Sequence, residues 1–285
     1  WTVSGPRRLL PAWWSMSRYA RELIRHRDLL FWLAAKEIKV RYKLPLLGFL
    51  WALLVPLSYS AILWLVFSYV MPIPMARYPF FLFLIVGMFP WNCFAQSVSN
   101  STMSVLDAGS LIRKTAFPKV LIPLSIVAAN LFNFLLTLLV VIAVIMVSGL
   151  PIGRWMWLLP VVIGLHVALT IGVALLVAGL QVRYRDIKYL TEVGLVLWFY
   201  LTPIFYPLDL IAPLPPALQT AYLLNPFVSI VELYRLALLG AVSGATVIAP
   251  PMALSLAVAF SVGALLTGVA TFRRHEPTFA DWVTG

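Results

Sequence analysis

Charged side chains make up only 11% of the 285 residues, so those that could do chemistry can be read one by one. Residues 110–120, SLIRKTAFPKV, gather Arg113, Lys114 and Lys119 in a piece too short to fold alone, between two long apolar runs. Asp107 or Ser110 can cap a short helix there, Leu111, Ile112 and Phe117 can present apolar knobs, and Pro118 stops the helix before the next run. Such a helix suits docking into a groove; a positively charged loop that only fixes topology is the other reading of the same residues. Glu232 and Arg235, spaced i,i+3, share a helical face and can neutralise each other, as a structural pair or as the control of a gate. His166 lies in the middle of an apolar run and could relay protons, but without an acidic neighbour in its own helix it reads as a hydrogen-bonded packing residue.

Other chemistry is missing from the sequence. Cys93 is the only cysteine, which leaves no intrachain disulfide and no cysteine-based metal cluster, and no metal site is expected. No G-x-x-x-x-G-K-[ST], H-E-x-x-H or G-x-S-x-G pattern occurs. The chain therefore carries no ATP engine of its own, and any active transport must draw on an ion gradient or on a separate ATPase. A membrane enzyme acting on glycans would need catalytic carboxylates on the outer side, where only Asp209 and Glu232 are available. Aromatic residues are the remaining resource. Trp64, Tyr69, Trp91, Phe94, Phe199, Tyr200 and Tyr206 lie within or at the ends of apolar runs, where most such rings are belt or packing residues. Those that line a passage would suit sugar rings, whose C–H faces stack on aromatics.

The elements that must position these residues are membrane helices. The sequence is 62% hydrophobic, against about 45–50% in an ordinary soluble domain. Runs of about 20 apolar residues recur, long enough to cross a bilayer as helices. Six spans are expected: Phe49 to Val70, Tyr78 to Phe94 with a polar extension to Ser104, Val120 to Ser148, Trp155 to Leu180, Leu190 to Tyr206, and Val247 to Phe272. With both termini inside, eighteen of the twenty-one Lys and Arg residues fall on the cytoplasmic side, and the net charge of +11 reads as topology rather than nucleic-acid binding. Residues 17–43 form an amphipathic helix suited to the interface plane, with a basic face and Phe31 and Trp32 nearby. Residues 207–240 are apolar but broken by prolines, and the piece Phe227 to Gly240 has the length of a re-entrant helix. A helical hairpin dipping in from the outer face between the fifth and sixth spans is expected, a seventh and eighth span being the competing topology. The fold class is thus all-α and polytopic, with residues 1–45 a cytoplasmic N-terminal region and 46–285 the six-span domain.

Six stretches resemble one family in order: LLFWLAAKEIKVRYKLPLLGFLWALLVPL (29–57), YPFFLFLIVGMFPWNCF (78–94), SLIRKTAFPKVLIPLS (110–125), GLQVRYRDIKYL (179–190), LWFYLTPIFYP (197–207) and LNPFVSIVELYRLALLG (224–240). They are similar to the permease subunit of type-2 ABC exporters, above all the branch exporting O-antigen, capsule or teichoic acid polymers. The resemblance implies a homodimer in the bacterial inner membrane, joined to two copies of a nucleotide-binding ATPase that holds ATP and Mg, with no cofactor on this chain. It implies that Ser110, Leu111, Ile112, Arg113, Lys114, Phe117, Pro118 and Lys119, within a coupling helix over about 107–119, contact that ATPase. It makes residues 207–240, with Glu232 and Arg235, a gate. Lys39, Arg41 and Lys43 would meet the pyrophosphate of a lipid-linked polymer, which would leave along an aromatic-lined path between the two copies. Thr202 stands where the family frequently carries serine. A permease for a small lipophilic drug or lipid is the alternative within the same family, and a glycan-processing membrane enzyme the alternative outside it.

Overall fold

The structure, a computed structural model, describes residues 25–42, 50–71, 79–115, 117–149, 155–240 and 247–279. Every regular element among them is helical. In chain order these are α1 (Arg27–Tyr42), α2 (Leu50–Leu65, continued by a wider π turn over Val66–Val70), α3 (Phe80–Asp107), α4 (Gly109–Lys114) and α5 (Leu121–Val147). Then come α6 (Leu159–Arg183), α7 (Ile187–Tyr200), α8 (Pro216–Leu223), α9 (Pro226–Leu239) and α10 (Pro250–His275). Single 3-10 turns occupy Met156–Leu158, Leu208–Ile211 and Glu276–Thr278.

Five helical stretches among the described residues are long and apolar enough to cross a membrane: Leu53–Val70, Phe80–Asp107, Leu121–Val147, Met156–Arg183 and Pro250–Thr278. They match the first, second, third, fourth and sixth expected spans. The polar extension of the second span is not a separate piece, because α3 runs unbroken for 28 residues through Pro90. The expected fifth span is different. Its helix, α7, has 14 residues and ends at Tyr200 rather than Tyr206, about 21 Å at 1.5 Å per residue, against roughly 30 Å of hydrocarbon. Pro203 is the physical cause, since a proline removes a helical donor and pushes the residue before it out of the helical region. The next two helices, α8 and α9, meet at a bend of 80°, so the prolines of this region produce one sharply broken element and not two full spans.

The centre of the bundle is α3, which packs against α2, α5, α6, α7 and α9 and is buried over most of its length. One end of the bundle is closed by a buried apolar cluster of Val105, Ile112, Val120, Val182, Phe272 and Phe279. This cluster brings the basic stretches around 113–119, 183–188 and 273–274 to a single end, and α1 joins them there across a cleft that it shares with Asp107 and Leu111. The described part of the expected amphipathic helix, α1, half-buries Leu29, Leu30, Leu33, Ala34 and Ile38 and leaves Arg27, Lys36 and Lys39 exposed. Phe31 and Trp32 point away from the protein at 68% and 65% exposure. Residues 17–24 and Lys43 lie outside the described residues.

The longest packing in the fold is that of α6 on α10, and it is made possible by missing side chains. A Cβ on Gly172 would collide with the Ala264 backbone, one on Gly268 would collide with the Gly172 carbonyl, and one on Gly179 would lie 3.0 Å from Phe272 Cα. In lipid there is no hydrophobic gain from pairing helices, so backbone approach through small residues supplies the contact. Gly268→Val is therefore expected to destabilise the detergent-solubilised protein by at least the 1–3 kcal/mol typical of overpacking. Gly263→Ala, on the same helix but facing open space, should melt like the parent in a thermal unfolding scan followed by size exclusion.

Candidate functional site

Helix α9 is held from its first residue to its last. Asn225 occupies the N-cap, and Pro226 follows at the first helical position, where a missing N–H costs nothing. The Asn225 Oδ1 accepts from Phe227 N at 3.0 Å and from Trp198 Nε1 at 2.6 Å. Its Nδ2 donates to Leu201 O and to Thr202 Oγ1, both at 3.0 Å. Thr202 Oγ1 in turn donates to Trp198 O at 2.7 Å. The tip of the dipping element is thus tied to the broken end of α7 by one small network, whose hydroxyl a serine could also supply. Gly240 ends α9 in the left-handed conformation, at φ 83°, which a side chain would disfavour.

Midway along α9, Glu232 and Arg235 form an ion pair with no exposure on either side. Arg235 Nη1 donates to Glu232 Oε1 at 2.7 Å and Nη2 to Ile204 O at 3.0 Å. The guanidinium carbon lies 3.6 Å from the centre of the Phe83 ring of α3, a cation–π contact in a desolvated place. A Cβ on Gly87 would sit 3.3 Å from Nη2, so that glycine makes room for the guanidinium. One residue before Arg235, Tyr234 meets His166 of α6, Tyr234 OH and His166 Nδ1 being 3.1 Å apart. The His166 ring is boxed edge-on by Phe134, Phe227 and Tyr234. His166 is therefore a hydrogen-bonded packing residue that pins α9 to α6.

At the basic end, the segment between α3 and α5 is a second rigid device. Asp107 is the last residue of α3 and Ser110 lies inside α4, so neither caps α4; Ala108 takes the N-cap position without a side-chain bond. The helix is six residues long, Thr115 is extended, and Thr115 Oγ1 donates back to Leu111 O at 2.8 Å. Of the three apolar side chains, Leu111 faces outward at 36% exposure and Ile112 is turned inward at 8%. Phe117, half-buried, packs on the cluster that contains Ile112. The Arg113 and Lys114 side chains lie outside the described residues. Pro118 ends the segment, and Lys119 is fixed by the far end of the chain: its backbone N–H donates to Glu276 Oε1 at 3.0 Å and its Nζ to Glu276 O at 3.1 Å. Nζ also stands 5.8 Å above the ring of Phe279, which is buried edge-to-face on Phe272.

The seven aromatic candidates separate into two groups. Trp91 and Phe94, at 6% and 0% exposure, are interior and pack with Trp198 and Phe227; Phe199 touches Trp91 from the edge of this cluster. Trp64, Tyr69, Tyr200 and Tyr206 lie at the surface or close to it, Tyr69 at 71% and Tyr200 at 61% exposure. The surface group is joined across α2 and α7 by stacking of Phe67 on Phe205, 5.8 Å apart, and Tyr206 OH donates to Tyr200 O at 3.2 Å. Lys39 is exposed on α1, while Lys43 and the Arg41 side chain lie outside the described residues. Among the described residues no group of three His, Cys, Asp or Glu side chains is placed to hold a metal ion.

Sequence reasoning missed Phe83, Gly87, Ile204, Asn225 and Glu276. For Asn225 the signal was present, since Asn-Pro before an apolar run marks a helix start. The others are recruited from distant parts of the chain and leave no local pattern.

Comparison with known proteins gives a family match over residues 28–239, to the family described as ABC-2 type transporter. An O-antigen export system permease protein RfbA of Klebsiella pneumoniae is 34% identical over 89% of this chain and 94% of its own length. A protein of the same name from Myxococcus xanthus is 36% identical over 77% of this chain and 84% of its own. The polysialic acid transport protein KpsM of Escherichia coli is 26% identical over 85% of this chain and 91% of its own.

Removing one partner of a sealed ion pair strands the other charge, at a cost of about 3–5 kcal/mol. Glu232→Gln and Arg235→Met are each expected to lower the melting temperature strongly in detergent. The double variant should recover part of the loss, because no charge is then left buried. Asn225→Ala is expected to cost more than the roughly 1 kcal/mol of an ordinary cap, since three further hydrogen bonds go with it.

Proposed function

The chain belongs to the ABC-2 type transporter family, and on that premise we propose that it is the membrane-spanning permease subunit of an ATP-driven exporter that moves a lipid-linked, O-antigen-like polysaccharide across the bacterial inner membrane. The observation that carries the reading is the similarity, over most of the chain, to permeases named for O-antigen export and to a polysialic acid transporter. The geometry supports a division of labour. The basic end faces the cytoplasm, where the segment 107–119 docks on a separate ATPase present in two copies, which binds ATP and Mg. Because Ile112, Phe117 and Lys119 anchor that segment to α3, α6 and the end of α10, a push on it moves three crossings together. Rigid anchoring is what a lever needs.

Two copies of the chain assemble through α2 and α7, both little buried inside one copy: Thr191 is the only buried residue among the described ones of α7. Their exposed aromatic edge, Trp64, Tyr69, Tyr200 and Tyr206, borders the polymer's path, and the α8–α9 hairpin gates it from outside. Lys39, Arg41 and Lys43 receive the pyrophosphate carried by the lipid. Trp91 and Phe94 act in this scheme as the packed wall behind that edge. A glycan-processing enzyme is disfavoured, since Glu232 is sealed in its ion pair and leaves Asp209 as the one carboxylate on the outer side.

Depletion of the protein in its host tests the assignment. Lipid-linked glycan is expected to build up on the inner leaflet while surface polymer falls. Normal surface polymer with retention of a small amphiphile instead would move the chain to the drug or lipid branch. Reversing the charges of Arg113 and Lys114 should reduce recovery of the ATPase with the affinity-purified permease several-fold. Undiminished recovery of the ATPase would remove that segment from the interface.

A further inference from the structure

Polar side chains are costly at membrane depth unless they face protein or water, yet α3 and α5 share a row of them. At the basic end the row opens into a cleft of about 620 Å³ between α1, α3, α4 and α5, with Lys36, Glu37, Asn100, Asp107 and Ser125 on its walls. About one helical turn further along the same two helices is a cavity of about 30 Å³, where Asn92, Gln96, Asn130, Asn133 and Thr137 face Phe89, Cys93, Phe134 and, from α2, Pro56. Asn133 is 7% exposed, and its Oδ1 accepts no hydrogen bond among the described residues. A polar cavity of that size holds a water molecule, and a buried acceptor of this kind is ordinarily satisfied by one.

The charges in the cleft decide what it can take. Lys36 stands 3.7 Å from Glu37, and Asp107 adds a further carboxylate, so the described walls carry one cation against two anions. The described walls thus do not form the cationic cradle that a phosphate requires, and Asn100, Ser125 and the carboxylates offer the mixed donors and acceptors that hydroxyl groups require. The volume falls within the range of pockets for small organic ligands, with room for a short saccharide segment.

We propose that the cleft between α1, α3, α4 and α5 binds neutral sugar rings of the exported polymer within a single copy of the chain, apart from the pyrophosphate, with the polar row above it hydrated. This rests on the reading of the chain as a polysaccharide permease. Recognition of glycan here would let the subunit sample the polymer beside the ATPase-docking segment, since Leu111 of α4 lines the same cleft.

The test uses the assembled transporter in inside-out membrane vesicles, with Cys93→Ala as background and a single cysteine replacing Asn100, Asn133 or Val144. Val144 is the control, exposed on the outside of α5. A cationic, water-soluble methanethiosulfonate is expected to label N100C fast, N133C slowly and V144C not at all. Saccharide released by mild acid from the host's surface polymer should slow N100C labelling at least fivefold, and inorganic pyrophosphate should not. Equal or stronger protection by pyrophosphate, no protection by saccharide, or N133C as inert as V144C would each overturn the assignment. Export is scored separately: if depleting the parent chain leaves surface polymer intact, the permease reading fails whatever the labelling. If depletion abolishes the polymer while N100C stays unprotected, the cleft assignment alone fails.

Discussion

A salt bridge with no solvent exposure on either side organises the end of this protein that lies away from its basic cluster. Arg235 reaches Glu232 on its own helix, the Ile204 carbonyl in the irregular stretch after α7, and the face of Phe83 on α3. A buried guanidinium needs all of these partners, because its desolvation is repaid only by close and well-directed contacts. The dipping helix therefore has one position. Any movement of α9 relative to α3 or to residues 201–206 must either carry the pair along intact or expose both charges to a new environment.

The neighbours of the pair enforce the same geometry by different physics. Asn225 saturates the amide positions at the tip, Tyr234 and His166 tie α9 to α6, and Gly87 yields the space that the guanidinium fills. Further inward, the glycine contacts between α6 and α10 join two crossings by backbone proximity. At the basic end the turn that follows α10 returns to clamp Lys119 through Glu276. The segment 107–119 is thus in contact with the turn that follows α10, α10 meets α6 at the glycine crossing, and α6 carries His166, which touches α9. A continuous series of named contacts therefore joins the basic end of the bundle to α9, each of them buried or half-buried.

Much of this was legible because the bilayer imposes simple rules. Span length, scarcity of charge and the clustering of Lys and Arg located five crossings to within a few residues, and the proline density of 207–240 announced a broken element. The fifth crossing was misjudged because apolar composition continues to Tyr206 while the helix does not, and the hydrophobic signal cannot distinguish a helix from an apolar coil sheltered by protein. The i,i+3 spacing of Glu232 and Arg235 revealed the pair but not its sealing, which depends on Phe83 and Gly87, some 150 residues away in sequence.

By itself, then, the sequence determined the all-helical membrane class and the place of five long apolar helices, since both follow from local composition against the fixed thickness and dielectric of a membrane. Tertiary structure alone decided which aromatics are interior and which edge the surface, that Lys119 belongs to Glu276, and that the polar faces of α3 and α5 align into one row. Those facts depend on which helix faces which, and helix rotation in a bundle is set by packing among distant residues that no local pattern records.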